Sequence, residues 1–466
     1  MSRTIDARWI TVFAVYFLLQ ALSRWAFGLS LNWDEAEAFF FARHLAWGYG
    51  PQPPLYFWLQ WGVFQVLGEN VLALAVFKNA LLFGTVVLLY RFLRREAGSA
   101  EAGVAALSLG LIASLVWEAQ RALTHTALAM LVAVAATWIA VRALESGRWR
   151  DYLLLGLAVG IGTLSKLNFL VWAAALLGAA LILPEWRRRI RPGPTCAAVL
   201  VALLINVPVL LWMLRNPELS TVGIRKLEFA TESGLQARLV GTGALAFATL
   251  NFFILPLLVL GGFWLAARRR PGSALPPGVR LYGLASGLSL LLLWVGILAT
   301  RSTEVDHIWL MPMASGLVPV AVLALWPRLT ERARRGLAGT EAALWLLALV
   351  LLPASAFLGP SSSNRWLDFG PVAARLAQLQ GEGLSLVLNN VHVAGNLVLR
   401  EHGLDLTLLT VGTPDVPAER LALVTRLNDP LLERPDVQAR MEAHEEFPLL
   451  DEPGARRQAV TLLSAQ

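Results

Sequence analysis

The side chains best suited to chemistry in this chain are Asp34, Glu35, His125, Lys166, Arg301, Glu304, Asp306 and His307. Each stands at the end of, or inside, a long apolar run. An acid there can take a proton from a hydroxyl, a cation can hold an anion such as phosphate, and a histidine can do either. A plainer reading stands beside each. Asn32 or Asp34 would cap a surface helix, and Glu35 would suit the positive end of its dipole. Pro51-Gln52-Pro53-Pro54-Leu55-Tyr56 would be a stiff connector. His125 could be a satisfied polar residue, a metal ligand, a base or a phosphate donor. Lys166 could snorkel to the interface, and Arg301 to His307 could form a solvated loop. Four such groups on one face are harder to explain this way together than singly.

Placing them on one face follows from the elements that carry them. The chain has 466 residues, of which 56% are hydrophobic and 15% charged, and its mean hydropathy is +0.59. Soluble domains carry about 25% charged residues. Several apolar runs reach the roughly 20 residues needed to cross a bilayer. The sequence therefore describes an all-α polytopic membrane protein. The single Cys196 excludes an intramolecular disulfide. The pI near 10 does not mark a nucleic-acid binder, because the arginines lie in short clusters between apolar runs.

Expected crossings are Trp9–Leu29, Val71–Phe92, Ala102–Val116, Ala127–Val141, Cys196–Leu214, Gly241–Ala266, Leu281–Ala299, Ile308–Leu325 and Ala342–Leu358, with two more in Tyr152–Leu183. That last run would be roughly 48 Å long as one helix, too long for a single crossing. Splitting it at Lys166 puts the loops with Arg148 and Arg150, and with Arg187 to Arg191, on the same side. About eleven crossings result. The first is expected to be retained, since no small-residue cleavage site follows it. Residues 31–69 then lie outside, with amphipathic helices at 35–47 and at Leu55–Leu67. The segment Trp117 to His125, the loop Arg215 to Val240 with Arg225, Lys226 and Glu228, and Arg301 to His307 are external as well. The N-terminus is cytoplasmic and the tail periplasmic.

From Ser361 the composition changes. Ser361-Ser362-Ser363-Asn364 reads as a linker, and the rest as a small soluble α/β domain. Strands are expected at Leu384–Leu388 and Leu421–Val424, and helices at Pro371–Gln380 and Val393–Glu401. The domains expected are 1–360, membrane-embedded, and 361–466, soluble.

In combination these residues resemble a known family. Asn32-Trp33-Asp34-Glu35-Ala36 is similar to the acidic motif of the GT-C glycosyltransferases, in the branch of protein O-mannosyltransferases and lipid A aminoarabinose transferases. Pro53-Pro54-Leu55-Tyr56-Phe57-Trp58 resembles that branch's Pro-Pro-Leu loop. Gly156 to Gly160 with Leu164 to Asn168, and His307-Ile308-Trp309-Leu310-Met311-Pro312, resemble two later elements. The similarity runs over about residues 30 to 320.

The resemblance implies an inverting transferase taking a sugar from a polyprenyl phosphate to an envelope lipid, glycan or protein, on the periplasmic face of a bacterial inner membrane. It implies catalytic roles for Asp34 and Glu35, with Asp34 as base. Lys166, Arg301 and His307 would bind the donor phosphate. Gln52, Tyr56, His125, Glu304 and Asp306 would line the substrate site. No cofactor is assigned; Asp34 and His125 are the candidates for a divalent metal.

Three departures bear on the donor pocket. Pro51-Gln52 replaces a Glu-Lys pair, Glu37 replaces an arginine, and Thr124-His125-Thr126 replaces a second acid. The rival function is a lipid-linked sugar flippase. It fits less well, because the charges gather at one face and no internal repeat is evident.

Overall fold

A computed structural model describes residues 2–28, 30–220, 234–355, 357, 366–409, 416–449 and 456–465. Arg225, Lys226 and Glu228, the Ser361–Asn364 linker, and the final residues Leu29 and Leu358 of two expected crossings lie outside the described residues. The fold class is the expected one: apolar helices followed by a small C-terminal sheet.

Seven described helices are long and apolar enough to cross a membrane, from Asp6–Ala26 through Val71–Arg94, Thr124–Ser146, Pro192–Arg215, Gly234–Ala267 and Pro277–Thr300 to Glu331–Ala354. Two further apolar helix pairs, Ser99–Leu111 with Ser114–Arg121 and His307–Ala314 with Leu317–Arg328, are bent by 77° and 56°, and would bring the number of spans to nine if each pair is one span. Trp149–Ser165 and Phe169–Ile182 are shorter and meet at Lys166, whose backbone is extended (φ −164°, ψ 130°). The break expected at Lys166 is therefore where the helix stops.

Three expectations need correction. Ala102–Val116 is not one helix: it passes into a 3-10 turn at Ser108–Leu111, breaks at Ile112 and resumes as a π-helical turn at Ser114–Glu118. The Trp345 indole donates to the Leu107 carbonyl at 2.8 Å, diverting that acceptor just where the α-helix ends. In addition, Trp117 to His125 is not simply a loop, since Ala119–Arg121 is helical and the next helix begins at Thr124. Similarly, Pro217–Ser220 and the helix from Gly234 take up much of the loop expected at Arg215 to Val240.

The described residues form two compact units. One comprises 1–20, 46–56 and 78–350, the other 21–45, 57–77 and 351–466. In the first, Trp149–Ser165 packs between Thr124–Ser146 and Pro192–Arg215. Gly156 makes the second contact close, because a Cβ there would stand 2.3 Å from the Ala198 carbonyl oxygen. Small residues let membrane helices approach backbone to backbone. Trp345 anchors the first helix against Phe13, Tyr16 and Phe17.

The second unit holds a five-stranded sheet in the order β2-β1-β3-β5-β4, with β1 Ser385–Leu388, β2 Leu406–Leu408, β3 Leu421–Arg426, β4 Met441–Pro448 and β5 Arg457–Leu463. β1, β2 and β3 are parallel, and the helix Val391–Arg400 makes the β1-to-β2 crossover. β5 pairs antiparallel with both β3 and β4. Val387, Leu421, Leu423 and Leu463 form the core against Leu431 and Val437. The edge strand β4 carries Glu442, Glu445 and Glu446, charges that discourage pairing with a further chain.

Replacing Gly156 with Val drives side-chain atoms into the Ala198 backbone. It should destabilise the detergent-solubilised protein by about 1–3 kcal/mol. The check is a thermal or denaturant unfolding curve against the parent.

Candidate functional site

In the second unit, the acidic motif opens the helix Trp33–Phe41, with Asn32 at the N-cap in extended backbone (φ −74°, ψ 172°). Asp34 and Glu35 both sit in the first turn, where the helix dipole favours negative charge. Their surroundings differ because consecutive helical residues point about 100° apart. Glu35 is 1% exposed and faces Arg24, itself 3% exposed, with Nη2 to Oε2 at 2.8 Å. The Arg24 Nε lies 3.2 Å from both carboxylate oxygens, and its Nη2 also donates to the Ser30 carbonyl at 3.0 Å. The Asn32 backbone N–H donates to Glu35 at 3.3 Å. Glu35 thus holds the helix start, whereas Asp34 is half-buried.

The same helix also packs on Val391–Arg400. The Leu31 N–H donates to Asn396 Oδ1 at 2.7 Å, and its carbonyl accepts from Asn396 Nδ2 at 3.2 Å and His392 Nε2 at 2.9 Å. Trp33 stacks on His392 with ring centroids 5.0 Å apart, and the Arg426 guanidinium lies over the Trp33 ring. Burial holds His392 below the ordinary histidine range. The Leu31 bond opposes that shift, while Arg426 and Arg456 add to it.

In the first unit, four chain segments converge at one end of the helices. His125, in the first turn of Thr124–Ser146, is buried. Its Nδ1 lies 3.3 Å from the Ser165 carbonyl, and its ring lies 5.2 Å from that of Tyr56. Lys166, half-buried at the break between two helices, donates to Thr126 Oγ1 at 2.7 Å. Asn168 Nδ2 reaches the Trp309 carbonyl at 3.5 Å, tying that break to the turn His307–Leu310. His307 Nε2 lies 3.1 Å from Glu118, and its Nδ1 lies 3.1 Å from Asp306. Gln52, Pro51 and Pro53 line a narrow cleft with Leu167 and Trp212, so the proline loop sits beside the Lys166 break. Arg301, Glu304 and Asp306 are exposed.

Two non-glycine residues among those described have positive φ, Leu123 (65°) and Arg301 (61°). One precedes His125 by two positions, and the other ends the helix Pro277–Thr300 and opens the segment to His307. Such backbone costs of order 1–3 kcal/mol and collects at functional sites.

Sequence reading missed three groups. Lys78, 1% exposed, donates to the Gln120 carbonyl at 3.1 Å and so fastens the bent segment that carries Glu118. A lone lysine inside the run Val71–Phe92 was a readable signal. Glu118 sat in an expected external segment, and Arg24 in an expected crossing, and neither stood out. Among the described residues no three His, Cys, Asp or Glu side chains come together as a metal-holding group. Chemically, the first unit offers cations and hydroxyl donors to an anion, and the second offers a half-buried carboxylate.

Residues 51–212 match the family model described as dolichyl-phosphate-mannose-protein mannosyltransferase. The lipopolysaccharide core galacturonosyltransferase RgtA of Rhizobium johnstonii (strain DSM 114642 / LMG 32736 / 3841) is 32% identical over 435 residues, 90% of this chain and 85% of that protein. The lipopolysaccharide core galacturonosyltransferase RgtB of the same strain is 40% identical over 268 residues, 55% of this chain and 53% of that protein. Crystal structures of ArnT from Cupriavidus metallidurans, bound to undecaprenyl phosphate and in the apo state, align with TM-score 0.67 at 15% and 16% identity, over 97% of this chain and 98% of theirs. At that identity the likeness is one of fold.

Arg24→Met leaves Glu35 buried without its cation and should cost about 3–5 kcal/mol, read as a lowered unfolding midpoint. Adding Glu35→Gln to it should recover part of the loss. Acid should act through His392. Its folded pKa lies below the unfolded value of about 6.5, so the unfolded chain binds the proton more readily. The stability it contributes is complete above about pH 6.5 and declines as pH falls below that value toward the folded one. Unfolding midpoints at about pH 7 and about pH 5 should differ by less in His392→Gln than in the parent.

Proposed function

This chain belongs to the bacterial lipopolysaccharide branch of the GT-C glycosyltransferases, and from that premise we propose that it moves a uronic acid from a polyprenyl phosphate to the lipopolysaccharide core. It is a multi-pass membrane glycosyltransferase. The observation that carries the finer reading is the 32% identity to a core galacturonosyltransferase along 90% of the chain. The convergence of Lys166, His125 and His307 at one end of the helices supports it. The arginine clusters toward the other end support a periplasmic position for that end, in the inner membrane of a bacterium. Residues 1–360 would form the membrane-embedded catalytic part and 361–466 the periplasmic domain.

In this reading the acceptor hydroxyl gives its proton to Asp34 as its oxygen attacks the anomeric carbon. The bond from that carbon to the phosphate oxygen breaks, and the configuration inverts. The departing polyprenyl phosphate carries the displaced electron pair as added negative charge. Lys166, Arg301 and His307 stabilise that charge where it develops. Gln52 and Tyr56, with the proline loop, shape the site over the donor. His125, Glu304 and Asp306 contribute to its walls, and Lys166 or Arg301 can also meet a uronate carboxylate. Glu35, engaged with Arg24, takes a positioning role instead of a chemical one.

The test is mass spectrometry of lipopolysaccharide from cells lacking the gene, complemented with the parent, or complemented with Asp34→Asn. One uronate-sized increment should vanish in the deletion and in Asp34→Asn, while polyprenyl phosphate-linked uronate accumulates. In vitro, Asp34→Asn should lower kcat by about 10²–10⁴-fold. An unchanged glycan in the deletion strain refutes the acceptor and sugar assignment, and a fully active Asp34→Asn refutes the base.

A further inference from the structure

We propose that the C-terminal sheet domain is a positioning element for Asp34, with Asn396 and His392 as its positioning residues; this rests on the reading of Asp34 as the base. Four observations within the second unit point to it. First, the Leu31 peptide, three residues before Asp34, is held at both edges. Asn396, 1% exposed, accepts from its N–H and donates to its carbonyl, as one strand does to another. The Asn396 amide is itself fixed by its bond to the His392 carbonyl at 2.8 Å. Second, the helix Val391–Arg400 touches the acidic helix backbone to backbone. A Cβ on Gly395 would stand 2.1 Å from the Ala36 carbonyl oxygen, and Ala36 is fully buried.

Third, Trp33, the residue next to Asp34, stacks on the His392 ring and lies within reach of the Arg426 guanidinium, which couples its orientation to the sheet domain. Fourth, the residues just past the far end of the helix are tied down too. Arg43 pairs with Glu69 at 3.1 Å and donates to the His402 carbonyl, and His402 Nε2 lies 3.0 Å from the Glu69 carbonyl. With Arg24 on Glu35, the first turn is fixed from two directions. A base must stand within hydrogen-bond reach of its proton, and a shift of about 1 Å can cost about 10²-fold in rate. A carboxylate on a nine-residue helix has little rigidity of its own, because a helix that short is marginal in isolation. The sheet domain supplies the missing constraint.

The experiment uses the full chain in detergent or liposomes with a polyprenyl phosphate-linked uronate donor and lipopolysaccharide acceptor. Gly395→Ala forces the two helices apart, and Asn396→Ala releases the Leu31 peptide without adding bulk. Each should lower kcat by about 10–100-fold, leave the donor KM within about twofold, and raise amide hydrogen exchange across residues 33–41. In an Asp34→Asn background, Gly395→Ala should change the residual rate by less than about twofold, because the positioned group is already gone. Full kcat in both variants with Asp34→Asn inactive overturns the positioning role alone. An equal fall of kcat with and without Asp34 overturns it as well. Full activity of Asp34→Asn by itself overturns the base reading, whatever the sheet-domain variants do. Asn396→Ala guards against a Gly395→Ala protein that fails to fold.

Discussion

The buried pair of Arg24 and Glu35 is the contact on which the acidic helix rests. Both groups have left water, and each would be costly alone. Their mutual geometry is tight enough to be kept: three nitrogen–oxygen contacts of 2.8–3.2 Å, with further bonds from Arg24 to the Ser30 carbonyl and from Asn32 N–H to Glu35. The pair fixes the last turns of the first helix to the first turn of the next. It also divides the labour of two adjacent carboxylates. One is engaged by a cation and a backbone donor, and the other is left half-buried on a different side of the same turn.

A related constraint governs the helical unit. Backbone that leaves the helical ladder inside a membrane protein must find partners within the protein. The broken segments meet that demand. Lys166 N–H closes onto the Gly162 carbonyl, Ile112 N–H onto Leu109, and Lys78 covers the Gln120 carbonyl. The breaks fall at one end of the bundle, and they turn side chains that a continuous helix would spread around its axis toward one another. Lys166 meets Thr126, His125 meets Ser165, and His307 meets Glu118. The backbone strain at Leu123 and Arg301 belongs to the same region.

The small sheet domain has its own part in the second unit. Its parallel β1 and β2 require a crossover helix, and that helix, Val391–Arg400, presents its small residues Ala394 and Gly395 together with Asn396. One face is buried in the domain and the other is free to hold the acidic helix. The same crossover therefore completes the sheet and supplies the partners of Leu31.

Much of the fold was legible from local pattern. Apolar runs located the seven helices long enough to cross a membrane, the lone lysine located the break at Lys166, and strand-favouring runs alternating with helical patterns located β1, β3 and the helices around them. The acidic motif, the proline loop and His307 could be picked out because charged or rigid residues are expensive beside lipid. β2, β4 and β5 escaped notice, since β2 is only three residues long and β4 is a charged edge strand with no apolar alternation to read. The bends escaped too, because the indole that draws the Leu107 carbonyl comes from 238 residues away. Sequence by itself determined most of the long helical segments, which segments are apolar and which side chains are unusual, because these depend on neighbours within a turn or two. Tertiary structure alone decided the partners: Arg24 with Glu35 at 11 residues' separation, Lys78 with Gln120 at 42, and His392 with Leu31 at 361. A buried charge or carbonyl is satisfied by whatever packing brings within 3 Å, and no local periodicity encodes that.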